Sequence, residues 1–413
     1  MTDATVQHWA VRMVGRDPAE HERASTPLEL LFDLTFVVAF GTAADELAHG
    51  LAEGHTGAAL AGFCFATFGV AWAWINFTWF ASAYDTDDWI YRLTTMLQMV
   101  GVLVFALGLP AMFASVEEHA ETLDNDVMVL GYVVMRIAMV LQWWRAGRND
   151  AARRPAHRVY IASIVASQVL WCLLAAADLG IGPTFALMVV PMAIEVGGPV
   201  VAERRYGGTP WHPGHIAERY GLMVIIALGE GLLGTMASLT ALAKEEGLSL
   251  DVGLLALVGT ALIFGLWWTY YAIPHAEILT AWRERSFGWG YGHILLFGAI
   301  VAVGAGLHVA AYFLEHHSET SLVATVATAA IPTAVYLLFL YVLYAVFSRS
   351  FDPFHLVLIG ASAVTIALSL VLAASGVELA WALAVLAVTP WITVIGYETV
   401  GYRHNRAVLD GAA

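Results

Sequence analysis

Twelve apolar runs with arginines gathered at alternate ends restrict this chain to one architecture, a helix bundle threaded through a membrane. The runs read 27–49, 58–83, 92–114, 127–146, 158–178, 182–201, 218–241, 252–272, 290–312, 321–347, 354–374 and 377–397. About 20 apolar residues in a helix cross the ~30 Å hydrocarbon layer, and each run reaches that length. Of the 19 Lys and Arg residues, 17 fall at alternate ends of these runs or in the two tails. Lys244 is the one basic residue at the opposite ends, and Arg136 lies deep inside a run. Basic residues favour the cytoplasmic side, so both termini are expected there, which requires an even number of spans.

Composition agrees. The 413 residues are 59% hydrophobic and only 13% charged, with a mean hydropathy of +0.70. That excludes an ordinary soluble globule, and the spans leave no room for a separate soluble catalytic domain. The tail 1–26 lacks the apolar core of a signal peptide, so the first run is the expected insertion signal. The net charge of −15 reflects acid in the connections on the side away from the arginines, such as Glu117, Glu118 and Glu121. Cys64 and Cys172 are the only cysteines, each inside an apolar run, which argues against a disulfide framework and a cysteine metal site. No H-x-x-x-H pattern, phosphate loop or basic-aromatic patch occurs, so no metal, cofactor or nucleic-acid partner is expected. Trp79, Phe80, Trp143, Trp144, Trp282, Trp289 and Trp391 read as interfacial anchors.

The expected organisation is an all-α polytopic bundle in two six-helix halves of parallel orientation. A cytoplasmic tail (1–26) precedes the first half (27–206). A connector (207–217), rich in glycine, leads to the second half (218–400) and a C-terminal tail (401–413). A weak echo supports duplication: Val37-Val38-Ala39-Phe40-Gly41 in run 1 against Ile225-Ile226-Ala227-Leu228-Gly229 in run 7. Parallel repeats of this kind build transporters.

The informative residues are those a membrane penalises. Asp, Glu or Arg at the centre of a span costs ~2.5–3.5 kcal/mol on insertion scales, so each needs a partner, a water-filled cavity or a role. Asp33 lies six residues past Pro27, about 9 Å into the first helix. Glu29 shares its face, four residues earlier, and stands near a helix start marked by Ser25-Thr26-Pro27. Arg136 is close to mid-membrane and requires a carboxylate; Asp33, Glu195 and Glu230 are the candidates. Glu195 follows Pro191 and precedes Gly197-Gly198-Pro199, a pattern that suggests a broken or kinked helix whose freed carbonyls could hold a cation. Glu230 is twelve residues beyond Glu218, about 18 Å deep. Glu218 and Arg219 read as the inner end of that helix. His293, with His275 and His308, lies in or beside runs 8 and 9.

Two stretches resemble the bacterial low temperature requirement A family. They are Pro27-Leu28-Glu29-Leu30-Leu31-Phe32-Asp33-Leu34-Thr35-Phe36-Val37 and Glu218-Arg219-Tyr220-Gly221-Leu222 through Leu228-Gly229-Glu230. Tyr291-Gly292-His293 and the tryptophan-rich second run extend the similarity over most of the chain. Leu31 stands where a second aromatic is usual. The resemblance implies a multi-pass bacterial membrane protein and no settled activity.

The residues point first to a proton- or cation-linked secondary transporter of the inner membrane, acting on an unnamed small molecule or ion. Asp33, Arg136, Glu195 and Glu230 would bind or couple, with Glu29, Glu218, Arg219 and His293 secondary. A membrane-embedded enzyme acting on a lipid or isoprenoid-like substrate is the second reading. The third is a structural or stress-adaptation protein whose charges only hold the bundle together.

Overall fold

The computed structural model describes residues 10–410 except 22, 119, 178, 248 and 351. Residues 1–9 of the N-terminal tail and 411–413 of the C-terminal tail lie outside the described residues. Among the described residues there is no β-strand, and twelve helical stretches are long and apolar enough to cross a membrane, as the sequence requires.

The first two spans are α1 (Pro27–Ala52) and α2 (Thr56–Tyr84). The third is split into α3 (Trp89–Leu107) and α4 (Leu109–Glu117). The split falls at Gly108, two residues before Pro110, which has no N–H to continue the ladder. Next come α5 (Asp126–Asn149), α6 (Arg154–Ala175), α7 (Ile181–Arg205) and α8 (Pro213–Glu246). The eighth span is α9 (Leu250–Tyr271) with a short α10 (His275–Ala281) after Pro274. The remaining spans are α11 (Ser286–Leu314), α12 (Leu322–Ser348), α13 (Pro353–Ala374) and α14 (Leu379–Gly396). A π turn leads from α14 into α15 (Tyr402–Asp410).

Helix starts follow from local chemistry. Thr26 and Glu29 form a reciprocal capping box: the Thr26 N–H donates to Glu29 Oε2 (2.7 Å), and the Glu29 N–H donates to Thr26 Oγ1 (3.2 Å). Asp88 caps α3 by accepting from the Tyr91 N–H at 2.9 Å. Ser249, Ser321 and Asp352 cap α9, α12 and α13 in the same way. These caps satisfy donors that a helix end otherwise leaves without partners.

By its contacts the chain forms two compact units. Unit 1 comprises residues 1–39 and 72–216, and unit 2 comprises 40–71 and 217–413. The boundary after residue 216 adjoins the expected connector, while α1 and α2 are each divided between units. The six-plus-six division is a proposal about how the sequence arose, distinct from this spatial one.

Within unit 1, α3 and α5 meet at glycines. A Cβ on Gly101 would lie 2.8 Å from the Gly131 carbonyl oxygen, so only a residue without a side chain fits. Within unit 2, α8 and α11 meet at Gly234 and Gly304: a Cβ on Gly234 would lie 2.6 Å from the Gly304 oxygen.

Two sequence expectations need correction. Of the broken or kinked alternatives for α7, the break is overturned: the helix is continuous through Pro191 and Pro199. The Ser167 hydroxyl of α6 donates to the Pro191 carbonyl at 3.1 Å, which ties α6 to α7 at this turn. Phe80, Trp143 and Trp289 are buried rather than interfacial. Trp143 stacks on Tyr160 with centroids 4.1 Å apart, and Trp289 packs against His293 and Tyr220. Trp144 is exposed, with the Arg148 guanidinium 4.9 Å over its ring, as an interfacial residue should be.

Candidate functional site

In unit 1 the buried charge converges on Glu195 of α7. Its Oε2 accepts from Trp72 Nε1 (2.5 Å), the Tyr132 hydroxyl (2.5 Å) and Arg136 Nη2 (2.6 Å). Its Oε1 accepts from Gln168 Nε2 at 2.9 Å. Four helices supply these groups, α2, α5, α6 and α7. Arg136 also donates to the Tyr132 hydroxyl, and its guanidinium carbon lies 4.6 Å from the centre of that ring. The side chains of Arg136 and Glu195 are each only 2% exposed. Glu195 is therefore the carboxylate that Arg136 requires. Opposite charges and four donors on one carboxylate leave the cluster neutral, which makes it tolerable at that depth. The donors that would have to be displaced also leave Glu195 poorly placed to ligate a cation.

Asp33 is also fully buried in unit 1, and its Oδ1 accepts from Trp74 Nε1 at 2.7 Å. One turn earlier on α1, Glu29 faces His215, whose Nε2 lies 3.1 Å from Oε1. Arg23 approaches the same oxygen at 4.0 Å and donates to the carbonyls of Ala81 and Ser82. Asp85, in the connection after α2, completes this end of the unit. Burial, then the charge of Glu29, pushes its carboxyl up to about 6.

Unit 2 holds Glu230 on α8. It is 2% exposed, yet among the described residues its carboxyl group makes no hydrogen bond and no ion pair. Glycines surround it. A Cβ on Gly41 of α1 would lie 3.2 Å from Glu230 Oε1, and a Cβ on Gly304 of α11 would lie 2.8 Å from Glu230 Cβ. One turn beyond Gly41 on the same face of α1 stands Asp45. One turn beyond Gly304 on α11 stands His308, whose Nδ1 is 3.9 Å from Asp45 Oδ1. Exposure of the side chain rises from the buried Glu230 through His308 (17%) to Asp45 (63%). His308 Nε2 is buried without a hydrogen-bond partner among the described residues. Titratable groups thus lead from the interior of unit 2 to its surface.

The secondary residues divide. Glu218 is exposed, whereas Arg219 is fully buried in unit 2. His293 is buried in an aromatic cluster, where Nδ1 contacts the Trp289 carbonyl (2.7 Å) and Nε2 contacts the Tyr270 hydroxyl (3.0 Å).

A family model described as bacterial low temperature requirement A protein (LtrA) matches residues 24–390. The chain belongs to this family. An uncharacterized protein of Rhizobium meliloti (strain 1021) is 26% identical to this LtrA chain over 317 residues, which is 72% of the chain and 71% of that relative. No solved structure matches it. LtrA membership makes the chain a multi-pass membrane protein of a bacterial family. The two motifs that carry the resemblance contain both Asp33 and Glu230.

Sequence reasoning found the ionisable residues and missed most of their partners. Tyr132 was accessible, since it precedes Arg136 by one turn and shares its face. Gln168 was accessible as a polar residue in an apolar run. Asp45 and His308 carry no such signal, because 263 positions separate them and neither lies deep in its span. The same holds for Glu29 and His215, which are 186 positions apart.

Proposed function

We propose that this LtrA protein is a proton- or cation-linked secondary transporter of the inner membrane, with both termini cytoplasmic. Glu230 is the coupling residue in this reading. The observation that carries it is the contrast between two buried carboxyl groups. Glu195 is held by an arginine and three further donors, so changing its charge means dismantling a structural junction. Glu230 is equally buried and has no fixed cation, so it can gain or lose a proton or bind a cation without breaking an ion pair. Intramembrane carboxyl groups of this kind mark proton and ion pathways. His308 and Asp45 supply a route for exchange with the surface. Arg136–Glu195 and Asp33–Trp74 hold the helices of unit 1 in place beside that function.

The test is flux into vesicles reconstituted with purified protein and loaded with a pH-sensitive dye, across a panel of small-molecule and ion gradients. The parent is expected to move protons or a cation with at least one solute. Glu230→Gln, which imitates the protonated carboxyl, should keep the fold and abolish coupled flux. Asp45→Asn should slow it. Undiminished flux in Glu230→Gln removes this residue from the mechanism. A parent inert across the panel defeats transport and favours the structural reading, which the four donors on Glu195 already support.

A further inference from the structure

The junction at Glu195 leaves two buried polar atoms over, on two residues that line one cleft. Arg136 uses Nη2 for Glu195 and Tyr132, while its buried Nε has no hydrogen-bond partner. Gln168 uses Nε2 for Glu195, while its buried Oε1 has none. The two side chains bind the two oxygens of one carboxylate, so a spare donor and a spare acceptor flank the same group. Arg136 and Gln168 line a cleft of about 450 Å³ between α5 and α6. The rest of its wall is apolar, with Ile137, Leu141, Val165, Val169 and Leu173 exposed along it. In a spanning bundle this face meets bilayer chains.

A buried polar atom without a partner costs about 1–3 kcal/mol, and here two occur together. Arg136 lies ten residues into α5, about 15 Å from its start, so the polar pair sits far from either headgroup region. A phospholipid headgroup cannot descend that far. Because Glu195 already neutralises Arg136, a second anion is not called for. The complementary group is neutral, small, and both donor and acceptor, which describes a hydroxyl. Its carrier must be apolar and slender enough for a cleft of ordinary ligand size.

We propose that the cleft between α5 and α6 binds a long-chain alcohol, whose hydroxyl accepts from Arg136 Nε and donates to Gln168 Oε1. The assignment does not depend on transport or on Glu230. It concerns binding alone, and a straight-chain or an isoprenoid alcohol would satisfy the same contacts.

The experiment uses purified full-length protein in phospholipid nanodiscs and a diazirine-bearing sixteen-carbon alcohol, with labelled peptides mapped by mass spectrometry. Labelling is expected in the segments holding Ile137, Val165 and Val169. Hexadecanol and geranylgeraniol serve as separate competitors, and the stronger one identifies the chain type. The methyl ether of the probe accepts but cannot donate, so it should label about tenfold less. Val169→Trp, which fills the cleft without touching the Glu195 junction, should abolish labelling while eluting like the parent. Gln168→Leu should lower alcohol labelling to the level of the ether. Equal labelling by alcohol and ether overturns the proposal and needs no variant. So does labelling of the same peptides by a phospholipid with a diazirine in its acyl chain that neither alcohol displaces. Cross-linking between two copies through cysteine placed at Val169, with no alcohol labelling, would assign the cleft to self-association instead.

Discussion

Replacing Arg136 by methionine tests how the unit 1 junction is held. The substitution keeps an unbranched apolar stem and removes the charge. Two contacts disappear, to Glu195 (2.6 Å) and to Tyr132 (2.5 Å), along with the guanidinium packed 4.6 Å from the Tyr132 ring centre. Removing one member of a buried ion pair typically costs about 3–5 kcal/mol, because the other charge stays buried. Here Trp72, Tyr132 and Gln168 still donate to Glu195, which moderates the loss. The expected cost is therefore near the lower end, about 3 kcal/mol. Glu195→Leu alone should cost a similar amount, since Arg136 is then the stranded ion. The double variant removes both ions and should be more stable than the sum of the single losses requires, by about 2 kcal/mol or more. Unfolding in mixed micelles by SDS titration, followed by tryptophan fluorescence, measures all four proteins. A parent-like Arg136→Met, or losses that simply add in the double variant, would refute the reasoning.

Three further predictions follow from other parts of the molecule. Asp85 holds its proton more tightly in the folded chain, near pH 6, than an unfolded aspartate does near 3.9, so its stabilising contribution is present below about pH 4 and lost as pH rises through 6. Asp85→Asn should flatten that decline and raise stability at pH 7 by roughly 2–3 kcal/mol, read as Tm in detergent across pH 4–7; a profile parallel to the parent's counts against it. Gly304→Ala places a methyl group 2.7 Å from the Glu230 backbone and should destabilise by about 1–3 kcal/mol, whereas Gly229→Ala meets nothing within 4 Å and should be neutral or better; equal melting of the two contradicts the α8–α11 crossing. In a background lacking Cys64 and Cys172, impermeant thiol reagents should reach Ala120→Cys from outside intact cells and Ala151→Cys only after lysis, and the reverse pattern would invert the orientation.

The sequence by itself determined the class of fold. Hydrocarbon cannot hydrogen-bond a bare backbone, so twelve apolar runs of spanning length must be helices, and their starts are written in short signals such as Thr26-Pro27 with Glu29. It also marked Asp33, Arg136, Glu195 and Glu230, because each stands where a charge is costly. Only the tertiary structure decided which carboxyl group meets Arg136. That choice depends on α2, α5, α6 and α7 placing Trp72, Tyr132, Arg136, Gln168 and Glu195 around one point, and helix packing angles are not encoded in spacing along any one helix. The same limit hid the setting of Glu230. Its glycine neighbours, Gly41 and Gly304, lie 189 and 74 positions away in sequence, and nothing local says that α1 and α11 approach α8 there. Proline in α7 leaves a related ambiguity: its local effect allows a break or a kink, and only the folded chain shows one helix running through both prolines. Local chemistry sets what each segment can be, and packing between distant segments sets which charges are matched.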